Sequence, residues 1–247
     1  MKKSYRVLVF DIDDTLIIEK HSVVHGLEAI FAAEDKQYTD TDYERWCDIE
    51  FKFWDDYRND LVEIPEIYND GGRDGFDRQK RDWLRSERLR KLMPNTTKQE
   101  RLFQLLDIFE DEIKNKVVPH DGMVSLIKDL ATANYQLVVA TDGVHDIAEH
   151  KLKAIGVSSY FDQIFSPLTT GTIKPKPEFF KQIFEQYGDN SADYLIIGNS
   201  LSADVRLANN LVIDSCLFNS WNETPEPNNQ PTYIVNDSDE LRQILLS

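Results

Sequence analysis

The sequence predicts an α/β protein, a doubly wound parallel sheet with an inserted α-helical segment, and three observations predict it. Short apolar runs of strand length alternate with amphipathic stretches of helical period. One long stretch near the front interrupts that rhythm with helices alone. Three polar clusters follow apolar runs directly, the position at which ligands bind in an open parallel sheet.

Taken in order, Val7–Phe10 is the first strand, since an unbroken apolar run suits a strand covered on both faces. From 17 to 117 no strand is expected. Thr41-x-x-Glu44 and Thr97-x-x-Glu100 read there as capping boxes that start helices, and Gly71-Gly72 as a turn between helices. The aromatics Phe51, Phe53, Trp54, Tyr57, Phe76 and Trp83 are assigned to packing between those helices. Beyond this stretch, helix is expected over 123–133, 146–155, 178–187 and 203–209, where apolar residues recur at three- and four-residue steps. Gly188 supplies the stop for the third of these. Strands are expected at 137–140 and 195–197, and on weaker pattern at 215–218 and 233–235. The Pro- and Asn-rich stretch 224–232 reads as a surface loop.

Composition narrows the function. A chain of 247 residues with 41% hydrophobic content can bury a sizeable core. With 28 basic against 44 acidic residues the net charge is −16, which argues against a nucleic-acid partner. A phosphate site in such a protein needs a local cluster of metal and lysine to reverse the sign. Cys47 and Cys216 form no C-x-x-C pair and are expected as buried thiols. No run approaches the roughly 20 apolar residues of a membrane helix, and the start reads as no signal peptide, so a reduced, cytoplasmic location is expected.

Four clusters carry chemistry. Asp11-Ile12-Asp13-Asp14-Thr15-Leu16 follows the first strand, so one carboxylate could attack while the other handles a proton. A calcium loop would need glycine where Leu16 stands. Thr141-Asp142-Gly143 offers a hydroxyl and backbone N–H groups as a phosphate cradle, although a helix cap looks the same. The run from Gly171 to Pro177 holds Lys174 and Lys176 between prolines, a positive charge on a stiffened loop. Gly198-Asn199-Ser200-Leu201-Ser202-Ala203-Asp204 ends on a carboxylate that can start a helix or hold magnesium.

These residues resemble the haloacid dehalogenase superfamily over nearly the whole chain. The resemblance implies a Rossmann-like core over 1–17 and 117–247 and a helical cap of the first type over 18–116. It makes Asp11 the nucleophile, Asp13 the general acid and base, and Thr141 the phosphate-binding hydroxyl, with Asp142 and Gly143 beside it. Lys174, which precedes the Pro-x-Pro run, becomes the phosphate-neutralising lysine. Magnesium would be held by Asp11, Asp13, Asp204 and Asn199. Asn199 stands where many members carry aspartate, and Asn209-Asn210 where a glycine often follows the helix, asparagine tolerating the left-handed conformation needed there.

The implied activity is magnesium-dependent hydrolysis of a small phosphorylated metabolite through an aspartyl-phosphate. A nucleoside 5′-monophosphate ranks first as substrate. A sugar phosphate such as acylneuraminate 9-phosphate, a phosphomutase reaction and a non-catalytic binding role are the alternatives. His21 and His25 lie near the expected hinge as candidate substrate contacts, with packing or surface roles the commoner reading. Monomer and homodimer are equally compatible with the sequence.

Overall fold

The computed structural model describes residues 5–68 and 78–246, so the expected Gly71-Gly72 turn and Phe76 lie outside the described residues. The elements run β1 Val7–Phe10, α1 Glu19–Ala32, α2 Asp40–Arg58, α3 Arg78–Leu92, α4 Gln99–Asn115, α5 Met123–Thr132, β2 Gln136–Ala140 and α6 His145–Ala154. They continue with β3 Gln163–Phe165, α7 Pro167–Thr170, α8 Lys181–Tyr187, β4 Tyr194–Gly198, α9 Arg206–Leu211, β5 Asp214–Phe218, β6 Tyr233–Val235 and α10 Ser238–Leu246. The chain divides into two compact units, Met1–Glu19 with Val117–Ser247, and Lys20–Lys116.

The first unit is built on a six-stranded sheet of order β3-β2-β1-β4-β5-β6, and every pairing is parallel. Strand alternation sorts its residues into two cores. Leu8, Phe10, Leu137, Val139, Leu195 and Ile197 pack on one face with α5, α6 and α10, through residues such as Leu126, Leu152 and Leu241. Val7, Val9, Val138, Ala140, Tyr194 and Ile196 pack on the other against Phe179, Phe180, Ile183 and Leu207. A sheet buried on both faces explains why the strands read as unbroken apolar runs. The order reverses at β1, so the crevice for a ligand lies at the carboxyl ends of β1 and its neighbours β2 and β4.

The second unit is helical; among its described residues no strand occurs. Gly26 of α1 faces the ring of Phe109 in α4, where an added Cβ would fall 2.6 Å from the ring. Arg88 of α3 is buried, ion-paired with Glu50, and lies 5.1 Å from the Trp54 ring centre and 5.8 Å from those of Trp46 and Phe53. Phe53, Tyr57 and Trp83 are buried, but Phe51 is 55% exposed and so lies off the packed face. No described helix is long and apolar enough to cross a membrane.

Local expectations fail where a neighbour competes. α2 is capped two residues earlier than Thr41-x-x-Glu44 implies, by a box between Thr39 and Asp42. α4 opens at Gln99 behind Lys98, with no side-chain cap from Thr97. The expected helix at 178–187 opens as a tighter turn, Pro177–Phe180, before α8, and that at 203–209 as one wide turn, Leu201–Val205, before α9. The left-handed residue after α9 is Val212, at φ 55° and ψ 40°, not Asn209 or Asn210. Both asparagines stay helical, and their amides donate to Asn229 and to the Pro175 carbonyl. Cys216 is buried in β5, where burial pushes its thiol up to about 12, whereas Cys47 is only half-buried.

Candidate active site

The site grows out of the ends of β1, β2 and β4. Asp11 leaves β1 with its N–H donating to the Ile197 carbonyl of β4 at 2.9 Å, so its backbone still belongs to the sheet edge. Lys174, 2% exposed, places its ammonium against three acceptors: Asp11 Oδ1 at 2.8 Å, Asp204 Oδ1 at 2.7 Å and the Ala140 carbonyl at 2.9 Å. An ammonium has three protons, so each finds a partner. The Lys174 backbone is fixed in turn, its N–H donating to Asp142 Oδ1 at 2.9 Å. Lys176 instead precedes the Pro177–Phe180 turn, half-buried.

Asp204 lies in the wide turn after β4, its Oδ2 accepting from the Ser200 N–H at 3.1 Å. Its carboxyl group lies directly over Gly198. A Cβ on that glycine would come within 2.2 Å of Asp204 Cγ, so the carboxylate can reach Lys174 only because residue 198 has no side chain. Thr141 is buried after β2, and its Oγ1 accepts from the Gly143 N–H at 2.9 Å. The residue that caps α6 is Val144, so Thr141 is not a helix cap. Asn199 follows β4 half-exposed, and among the described residues no hydrogen bond ties it to the Lys174 centre.

Asp13 lies within a turn in which Thr15, Leu16 and Ile17 all donate to the Ile12 carbonyl. Its carboxylate accepts from Lys151 of α6, which is 4% exposed. Sequence reasoning passed over Lys151, although a lysine among the apolar positions Ile147, Ala148 and Leu152 of one helix face was a usable signal. Asp14, named in the sequence only as part of the first acidic cluster, has partners of its own. It is buried at φ 52°, and burial raises its carboxyl above the ordinary range against the Glu19 N–H and the Trp221 indole N–H that it accepts. His21 and His25 belong to the helical unit, their rings 4.9 Å apart and His25 3.2 Å from Glu28.

Electrostatics explain what the cluster lacks. Burial is the largest influence on Asp11 and, with repulsion from Asp204 and Asp13, pushes its carboxyl up to about 8 despite Lys174. Burial would lower Lys174, but Asp11, Asp204 and Asp142 outweigh it and raise it, so it stays cationic. Among the described residues no group of three or more His, Cys, Asp or Glu is arranged to hold a metal, because Lys174 stands between Asp11 and Asp204. The donor set nevertheless fits a hard divalent ion. Carboxylate oxygens of Asp11, Asp13 and Asp204 and the Asn199 amide are the hard oxygen donors that magnesium prefers, and magnesium keeps several waters besides.

The fold is a parallel α/β sheet with a cluster of one lysine and two carboxylates at the carboxyl ends of its central strands. The chain belongs to the haloacid dehalogenase-like hydrolases, whose family model matches residues 5–211. It is 27% identical over 244 residues to a HAD-type hydrolase of Bacillus subtilis strain 168 named YfnB, covering 98% of this chain and 96% of that one. A crystal structure of YfnB with magnesium bound superposes with a TM-score of 0.84 at 25% identity, over 99% of this chain and all of that one. The pyrimidine 5′-nucleotidase YjjG of Escherichia coli strain K12 is 24% identical over 239 residues, 96% of each chain. The pyrimidine 5′-nucleotidase PynA of Streptococcus pneumoniae is 33% identical over 125 residues, 50% of this chain and 53% of that one.

Proposed function

We propose that this phosphatase is a magnesium-dependent 5′-nucleotidase acting on pyrimidine nucleoside monophosphates, with Asp11 as its nucleophile. The observation that carries the mechanism is the Lys174 ammonium holding Asp11 and Asp204 together at the end of the central strand. In the first step an Asp11 carboxylate oxygen attacks phosphorus, the bond to the leaving oxygen breaks, and Asp13 gives that oxygen a proton. In the second step water attacks the aspartyl-phosphate, Asp13 takes the proton, and the bond between phosphorus and Asp11 breaks to release phosphate.

Thr141, with the loop that includes Asp142 and Gly143, would bind the phosphoryl oxygens, and Lys174 would offset their charge. Lys151 donates to Asp13 Oδ1 and so fixes the position of the side chain that handles the proton. Magnesium, held by Asp11, Asp13, Asp204 and Asn199, would supply the remaining positive charge that keeps Asp11 ionised at neutral pH. The bound ion in YfnB supports that cofactor, and the names of YjjG and PynA support the substrate.

The test is phosphate release from a panel of nucleoside monophosphates and sugar phosphates, with magnesium and with EDTA. Metal-dependent release fastest from uridine, cytidine or thymidine monophosphate is expected. Faster release from sugar phosphates would overturn the nucleotidase reading while leaving the chemistry in place.

A further inference from the structure

The loop between β5 and β6 carries an arrangement that the mechanism above does not use. Asp14 directly follows Asp13, and three of its acceptor atoms are taken. Its Oδ1 accepts from the Glu19 N–H at 2.9 Å, its Oδ2 from the Trp221 indole N–H at 2.9 Å, and its carbonyl from Ser220 Oγ at 3.0 Å. With φ at 52°, Asp14 sits in the left-handed region, which aspartate tolerates, and these partners fix its side chain and carbonyl there. Trp221 keeps 39% of its surface exposed, so burial of its ring does not explain its placement, whereas the indole N–H has a definite use.

The same loop also reaches the chain after β4. Glu223 Oε2 accepts from the Leu201 N–H at 3.2 Å, and Asn229 Nδ2 donates to the Leu201 carbonyl at 2.7 Å. One segment thus fastens both stretches that carry Asp13 and Asp204.

We propose that Trp221 and Ser220 are positioning residues for phosphoryl transfer. Through Asp14 they fix where Asp13 stands relative to Asp11, and the rest of their loop fixes the stretch that bears Asp204. The proposal rests on Asp11 and Asp13 doing the chemistry described above. A positioning role of this kind acts on the transition state more than on ground-state binding, so it is read in kcat rather than in KM.

The experiment is steady-state kinetics of full-length wild type, Trp221→Phe, Trp221→His and Ser220→Ala with magnesium. Uridine 5′-monophosphate and p-nitrophenyl phosphate serve as substrates, and a thermal melt of each variant accompanies the rates. Trp221→Phe keeps an aromatic ring and loses the indole N–H, together with some ring area that is partly exposed in wild type. Its kcat is expected to fall about tenfold with KM unchanged within about twofold, while Trp221→His, which retains an N–H, recovers part of the loss. Ser220→Ala gives a smaller fall of the same kind and carries the test if Trp221→Phe does not fold. Folded variants with kcat within about twofold of wild type would overturn the proposal alone. A wild type inactive on both compounds would overturn the phosphatase chemistry and the proposal together.

Discussion

Gly198 is where a single methyl group should cost the most. A Cβ there would collide with Asp204 at 2.2 Å, and Asp204 is the carboxylate that Lys174 shares with Asp11. Gly198→Ala is therefore expected to lower kcat/KM about 100-fold while the far-UV circular dichroism of the sheet is kept. Near-wild-type activity would show that Asp204 need not stand where it does. His120 gives a pH test. Burial lowers it below its ordinary value of 6.5, its Nε2 is buried with no hydrogen-bond partner among the described residues, and its ring centre lies 5.0 Å from that of Phe218.

The sign follows from proton counting. Below about pH 6.5 the unfolded chain takes up a proton that the folded protein still refuses, so stability falls as pH drops through that window and is level above it. In urea titrations wild type should lose stability faster than His120→Gln between about pH 7 and about pH 5. Parallel losses would contradict the assignment. At this scale the acidic and lysine clusters were legible, because runs such as Asp11-Ile12-Asp13-Asp14 follow strand patterns directly. Lys151 and Trp221 were not read, because each acts on a residue far away in sequence.

Elements followed their apolar pattern closely wherever burial on two faces left one reading. Val7–Phe10 and the strands at 137–140 and 195–197 are cases, and their alternate residues divide cleanly between two cores. β3 escaped notice because it has three residues, two of them half-buried, and one is Gln163. Helix starts were read less well, since Thr39 and Thr41 are both good caps and Asp42 decides between them. The end of α9 offers a stability test. Val212 is β-branched, 82% exposed and left-handed, a conformation that costs such a residue roughly 1–2 kcal/mol. Val212→Asn should raise the unfolding free energy by about 1 kcal/mol in urea titration. An unchanged or lower midpoint would mean that the valine repays its strain through contacts elsewhere.

For the whole molecule, a net charge of −16 and a phosphate substrate are compatible only if cations gather at one place. The chain provides Lys174 and Lys151 against Asp11, Asp13 and Asp204, and Asp11 remains raised to about 8. The division into an α/β unit and a helical unit is visible in the sequence as the stretch without strands.

The account depends on one carboxylate. The most direct measurement is phosphate release by wild type and Asp11→Asn, each with magnesium and with EDTA, from the best substrate of the panel. Asparagine keeps the shape and removes the attacking charge, so the account predicts metal-dependent release by wild type and none above background by Asp11→Asn under either condition. Magnesium-dependent release by a folded Asp11→Asn protein at a rate near wild type would contradict it.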